Sequence, residues 1–149
     1  MPSAPQHEPV PAEEVERNHS GAQALIGYTL DLTGADGAGR VILQIEDRHL
    51  NRNGSLHGGI VAMMLDAAGG FAVSRAYKGP ALPNVATISL NTNYVAPALG
   101  GHRVVATGHV TGGGGKVAFA KSELRDAEGN LLAQAAGVFR YIRPRGDQT

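Results

Sequence analysis

No cysteine occurs anywhere in the 149 residues, which removes disulfides, thiolate metal sites and cysteine nucleophiles together. Charge of one sign is not in excess: 13 Lys and Arg face 13 Asp and Glu, so no gross field selects nucleic acid or an acidic membrane. Aromatic residues are scarce at 5% and do not interleave with basic ones, so the base-stacking surface of a nucleic-acid binder is not expected. Also missing are a G-x-S-x-G elbow, an H-E-x-x-H pair and a P-loop. Their absence disfavours an α/β-hydrolase, a catalytic zinc site and a phosphate-cradling loop. The six histidines, at 7, 19, 49, 57, 102 and 109, share no ligand spacing, and no metal is expected. The N-terminus shows neither the charged leader nor the apolar core of a secretory signal, so a cytoplasmic protein is the expectation.

What is present fits one domain with a substantial core. Residues 1–18 open with four prolines and no apolar periodicity, and read as a flexible N-terminal segment with a short helix over Ala12–Arg17. The folded domain is expected over 19–143, followed by a tail at 144–149. Six strands are expected within it: Ala24–Leu32, Arg40–Glu46, Val85–Val95, His102–Thr111, Lys116–Asp126 and Leu131–Ile142. Glycine-rich reversals at Gly34–Gly37, Gly112–Gly115 and Glu128–Asn130 separate several of them. Alternation is cleanest in Val85–Val95, with Ile88, Leu90 and Tyr94 on one face and Thr87, Ser89, Asn91 and Asn93 on the other.

One long helical pattern stands apart. From Ile60 to Ala76 only Asp66, Ser74 and Arg75 interrupt apolar or small residues. A helix apolar on every side needs a wrapping, and a membrane is a poor candidate for a short run with a central aspartate. Strands elsewhere make a sheet the natural cover. Tight turns join only antiparallel neighbours, so the expected class is α+β: a curved antiparallel sheet of about six strands around one long central helix. Bare sheet edges invite pairing, and the polar face of Val85–Val95 suits a second copy. A homodimer is therefore expected on structural grounds.

The helix also carries the candidate chemistry. Gly58 and Gly59 lie where the polar loop from Asn51 becomes helix. Free amides there, reinforced by the helix dipole, suit an oxyanion or a polarised carbonyl; a simple turn is the alternative. Asp66 is a carboxylate inside an apolar run, which persists when paired, hydrogen-bonded or functional. Eight residues separate Gly58 from Asp66, or about 12 Å along a helix axis. One chain could hardly bring both to one reacting atom, whereas two antiparallel copies could. Asn51 and Asn53 read equally as substrate-orienting groups or as turn formers. A lone loop histidine such as His57 is more often structural and takes a secondary role, donating to a substrate carbonyl or holding the loop. Thr87 offers a hydroxyl near the dimer seam, although many strand threonines only favour extended backbone.

The combination Asn51-x-x-Gly54-x-x-His57-Gly58-Gly59 followed by Asp66 resembles the hotdog-fold acyl-CoA thioesterases. More narrowly, it resembles the PaaI-like (phenylacetate-pathway) branch of the 4-hydroxybenzoyl-CoA thioesterase superfamily. Thr87-x-x-Leu90-x-x-x-Tyr94-x-x-Pro97, and the segment from Gly115 through Asp126 and Gly129 to Phe139, are similar to that branch as well. The resemblance implies the hotdog fold and hydrolysis of an acyl-CoA to the free acid and CoA. It implies that Gly58 polarises the thioester carbonyl and that Asp66 of the opposing subunit serves as base or nucleophile. Asn51 and His57 would orient thioester or water, Thr87 would assist Asp66, and Gly59, Asn53 and Tyr94 would line the substrate. No cofactor is implied, since coenzyme A is part of the substrate; a homodimer or homotetramer is. Where the family often has a basic residue within Tyr-x-x-Pro, this chain has Tyr94-Val-Ala-Pro97, which leaves Arg103, Lys116, Arg143 and Arg145 as alternatives for the CoA phosphates. A non-catalytic acyl-CoA-binding or sensing protein, with Asp66 structural, is the alternative reading. A hydratase or dehydratase is a third, without the usual histidine-containing signature.

Overall fold

The computed structural model describes residues 20–78 and 82–142. The expected N-terminal segment, its helix over Ala12–Arg17 and the tail at 144–149 lie outside the described residues, as does the middle of the Lys78–Pro83 connection.

The first expected strand requires correction. Ser20 accepts a hydrogen bond from the Gln23 amide at 3.1 Å and starts a helix, α1 (Gly21–Ile26). Gly27 closes it in the left-handed region at φ 86°. A serine cap and a glycine stop around six residues outweigh the extended tendency of the apolar stretch. The open carbonyls at the helix end are taken by side chains from downstream: Arg48 donates to Leu25 at 2.8 Å, and His49 Nε2 to Ile26 at 2.8 Å. Only Thr29–Asp31 is extended, as β1.

The remaining elements follow the expected order. They are β2 (Gly39–Gln44), a short 3-10 turn at Asp47–His49, α2 (Gly58–Ala76), β3 (Val85–Tyr94), β4 (Arg103–Gly113), β5 (Val117–Asp126) and β6 (Leu131–Tyr141). Six strands form one sheet in the order β1-β2-β4-β5-β6-β3, every pair antiparallel. The long helix crosses this sheet and packs on β2 through β6. Met64, Leu65 and Ala68 are buried in one cluster with Val41, Leu43, Val104 and Leu124, and Val73 in a second with Phe139. Close approach is made possible by glycine. A Cβ on Gly39 or Gly108 would stand 2.4 or 2.3 Å from the Ala68 carbonyl oxygen, so no side chain fits where helix and sheet meet.

The sheet does not enclose the helix completely. Ala62, Met63, Asp66, Ala67 and Phe71, at helical spacing, form a stripe that a single protomer leaves only half-buried. A helix apolar all round thus has a sheet on one side and, in one copy, no cover on the other. Its 19 residues are apolar and long enough to cross a membrane by composition, and packing on five strands accounts for that character. β3, ten residues long, is an open edge of the sheet, and its Ser89, Asn91 and Asn93 are exposed.

Candidate active site

The loop before α2 is built by Asn51. Its side-chain oxygen accepts from the amides of Asn53 (2.9 Å) and Ser55 (3.2 Å) and from the Ser55 hydroxyl (3.3 Å). Gly54 completes the turn at φ 75°, where a side chain would be strained. With the carbonyl of the amide group so occupied, the Asn51 NH2 is the end left to donate. The loop is then clamped to its neighbours: Leu56 N–H reaches the Ala98 carbonyl at 2.8 Å, and His57 N–H the His49 carbonyl at 2.9 Å.

His57 is the N-cap of α2. Its Nδ1 accepts from the Gly59 amide at 2.9 Å, which places the proton of the neutral ring on Nε2. Gly59 therefore spends its N–H within the chain. The Gly58 N–H has no acceptor among the described residues, and Gly58 lines a cavity of about 320 Å³ with Asn51, Leu56, Val61, Tyr94 and Leu132. Tyr94 has a second task besides lining: its hydroxyl donates to the Gly58 carbonyl at 2.7 Å. Its ring lies so close that a Cβ at Gly58 would be 3.3 Å from Cε1. The Gly58 peptide is thereby held from its carbonyl side. Asn53 is exposed and does not line this cavity.

Asp66 stands in a separate place. The Thr87 hydroxyl donates to Asp66 Oδ1 at 2.6 Å, and both line a second cavity, of about 210 Å³, between α2 and β3. Strict alternation puts Thr87 on the face away from Leu90 and Tyr94. The structure corrects this. Thr87 pairs with Phe139 and Ser89 with Val138, so Ile88 is an extra residue in a bulge. One inserted residue inverts the alternation on one side of it, which turns Thr87 toward the helix. No residue lines both cavities, and Gly58 and Asp66 are separated along the helix by about 12 Å.

The charge on Asp66 is felt within the core. Burial first, and the Asp66 charge second, push the Tyr28 phenol above its ordinary range. The other polar interruptions of the helix are structural: the Ser74 hydroxyl donates to the Pro83 carbonyl at 2.6 Å, and Arg75 donates to the carbonyls of Ala38 and Gly34. Arg103 and Lys116 are exposed and line neither of the two cavities, and Arg143 and Arg145 lie outside the described residues. Among the described residues no group of three or more His, Asp or Glu is placed to hold a metal ion.

Sequence reasoning missed the walls of the second cavity, Gly70, Val85 and Phe139. A signal existed: adjacent glycines at 69 and 70 inside a helix cost about 1 kcal/mol each relative to alanine. At Gly69 the reason is contact, since a Cβ would meet the Phe139 ring and the Ser122 hydroxyl at 3.1 Å.

Comparison with known proteins agrees with this architecture. The family model of the thioesterase superfamily matches residues 53–133. An esterase candidate of Halobacterium salinarum is 33% identical over 83% of this chain and 85% of its own length. Human acyl-coenzyme A thioesterase 13 is 35% identical over 64% of this chain and 69% of its own. Among solved structures, the E. coli PaaI protein from the phenylacetic acid degradation operon superposes with a TM-score of 0.78. It covers 89% of this chain and 91% of that one at 18% identity, a likeness of fold. The hotdog architecture is common to both.

Proposed function

This chain belongs to the thioesterase superfamily, and from that premise we propose that it hydrolyses an acyl-CoA thioester at a site shared between two copies of itself. Family and relatives support thioester hydrolysis in general. The shared site is supported by one observation above the others: each chain carries two half-sites in separate cavities. One half offers the Gly58 amide and the Asn51 NH2, and the other the Asp66–Thr87 pair. Neither half is sufficient. The uncovered stripe of α2 that contains Asp66, together with the open edge of β3, is the surface on which a second copy would pair.

In such a dimer the thioester oxygen lies at the start of α2 of one subunit. The Gly58 N–H and the dipole of a 19-residue helix stabilise the charge that develops there. Asn51 donates a second bond from its NH2, and the His57 Nε2–H stands beside them. Asp66 of the partner subunit approaches the carbonyl carbon, held by Thr87 so that its other oxygen is free to act. As a base it takes a proton from water, the hydroxide adds to the carbonyl, and the tetrahedral intermediate expels the CoA thiolate. As a nucleophile it forms a mixed anhydride, which water then cleaves to the acid. A thiolate leaves readily, so a carboxylate and fixed donors suffice; coenzyme A is substrate, and no cofactor takes part.

The test is free-thiol release from a panel of acyl-CoAs, with Asp66→Asn and Asn51→Ala chains assayed alone and mixed. Each variant alone is expected to be inactive. Mixed dimers are expected to recover one of their two sites, hence about half the wild-type turnover per dimer. Confirmed mixed dimers without turnover would refute the shared site, and thiol release insensitive to Asp66→Asn would refute the catalytic assignment. Single turnover in oxygen-18 water, with label sought in Asp66, separates base from nucleophile.

A further inference from the structure

We infer that the cavity beside Asp66 is the acyl pocket and that Gly70 and Val85 set the length of acyl group accepted; this rests on the hydrolytic reading above. The cavity lies between α2 and β3, with Ser74 and Pro83 in its lining. Its polar groups are engaged. Thr87 donates to Asp66, and the buried Ser74 hydroxyl donates to the Pro83 carbonyl. Asn84, which is also partnered, completes the polar lining, and the rest of the wall is apolar, from Ala67, Gly70, Phe71, Val85 and Phe139. The pantetheine arm of CoA carries amides that require hydrogen-bond partners, and it must lead back to solvent. Such an arm is matched poorly by this wall. The acyl group is the apolar portion of the substrate, and it is attached to the carbon that Asp66 would attack. A carbonyl held at the mouth of this cavity therefore directs its hydrocarbon inward.

Volume limits what enters. An apolar cavity of about 150 Å³ accommodates benzene, so the part of the pocket that one protomer supplies, about 210 Å³, matches a single ring with one or two further carbons, or a linear chain of about eight carbons. Gly70 lines that space. A Cβ there would lie 3.5 Å from both Phe139 Cε1 and Val85 Cγ2, in ordinary contact, so alanine fits without displacing either and occupies part of the room. Val85→Ala acts in the opposite sense by withdrawing two methyl groups from the same wall.

The experiment compares kcat/KM for butyryl-, octanoyl- and dodecanoyl-CoA in wild type, Gly70→Ala and Val85→Ala, by thiol release. Wild type is expected to favour octanoyl over dodecanoyl about ten-fold or more. Gly70→Ala is expected to lower the octanoyl-to-butyryl ratio about ten-fold, and Val85→Ala to raise the dodecanoyl-to-octanoyl ratio by a similar factor, one methylene in an apolar pocket being worth at least that much. Hydrolysis with both ratios unmoved overturns the acyl-pocket assignment and leaves hydrolysis standing. Absence of turnover on every acyl-CoA overturns the hydrolytic reading itself.

Discussion

Replacing Thr87 with valine is the sharpest probe of the Asp66 half-site, because it changes one atom of consequence. Valine is isosteric with threonine and equally suited to a strand, so the bulge at Ile88 and the pairing of β3 with β6 are retained. What is lost is the hydroxyl 2.6 Å from Asp66 Oδ1. Hydrogen bonds to a charged group contribute about 1.5–3 kcal/mol. Thr87 is exposed in a single protomer, so water replaces part of the bond and the lower end applies, about 1.5–2 kcal/mol. At 1.36 kcal/mol per decade, kcat is expected to fall between about ten- and thirty-fold. KM should change little, because the lost hydroxyl bonds Asp66 and the isosteric valine keeps the part of the cavity wall that Thr87 supplies. Thr87→Ser is expected to restore most of the rate. The assay is thiol release under saturating and limiting acyl-CoA, with thermal unfolding recorded alongside. A Thr87→Val enzyme within two-fold of wild type, or a serine variant as poor as the valine one, would refute the reasoning.

Three further outcomes are expected. Gly108→Ala places a Cβ 2.3 Å from the Ala68 carbonyl oxygen and should destabilise by about 3 kcal/mol or more, since backbone must move. Urea unfolding measures it, with Gly70→Ala as a control expected to be neutral or stabilised by up to about 1 kcal/mol; equal midpoints would contradict the close contact. Tyr94→Phe keeps the ring over Gly58 and removes the 2.7 Å bond to its carbonyl, so kcat is expected to drop about two- to thirteen-fold, for a bond of about 0.5–1.5 kcal/mol. Full activity in that variant would show that the peptide is held without it. Finally, the Tyr28 phenol is raised above 10.0 by burial and then by Asp66. The folded state therefore keeps a proton that the unfolded chain gives up, so the associated stability is complete below about pH 10 and is lost as pH rises through the folded value. Tyr28→Phe is expected to flatten the fall of the urea midpoint as pH rises above about 10, and an unchanged slope would refute the assignment.

Long, strongly patterned elements were legible from residues alone. The apolar run at Ile60–Ala76 could only be a covered helix, and the glycine reversals between β4 and β5 and between β1 and β2 forced antiparallel neighbours. Short elements were not. Six residues at Gly21–Ile26 carry too little periodicity to separate helix from strand, and there the serine cap and Gly27 decided the outcome. The bulge at Ile88 was equally hidden, because an inserted residue leaves the alternation of residue types intact and changes only the register against β6. Within the loop, the residues left two roles open for His57, substrate contact or holding the loop, and the bond from the Gly59 amide to its Nδ1 supplies the second.

The local sequence by itself determined the long helix, the glycine start that exposes its amide, and an aspartate eight residues further on, because propensity, capping and spacing act over a few residues. Tertiary structure decided which of these groups meet. Pairing with β6 turned Thr87 toward Asp66, the approach of β3 brought Tyr94 onto Gly58, and packing on the sheet left one stripe of the helix uncovered. Those contacts join residues 21 and 36 positions apart in the chain, and only the folded arrangement of strands around the helix sets their distance.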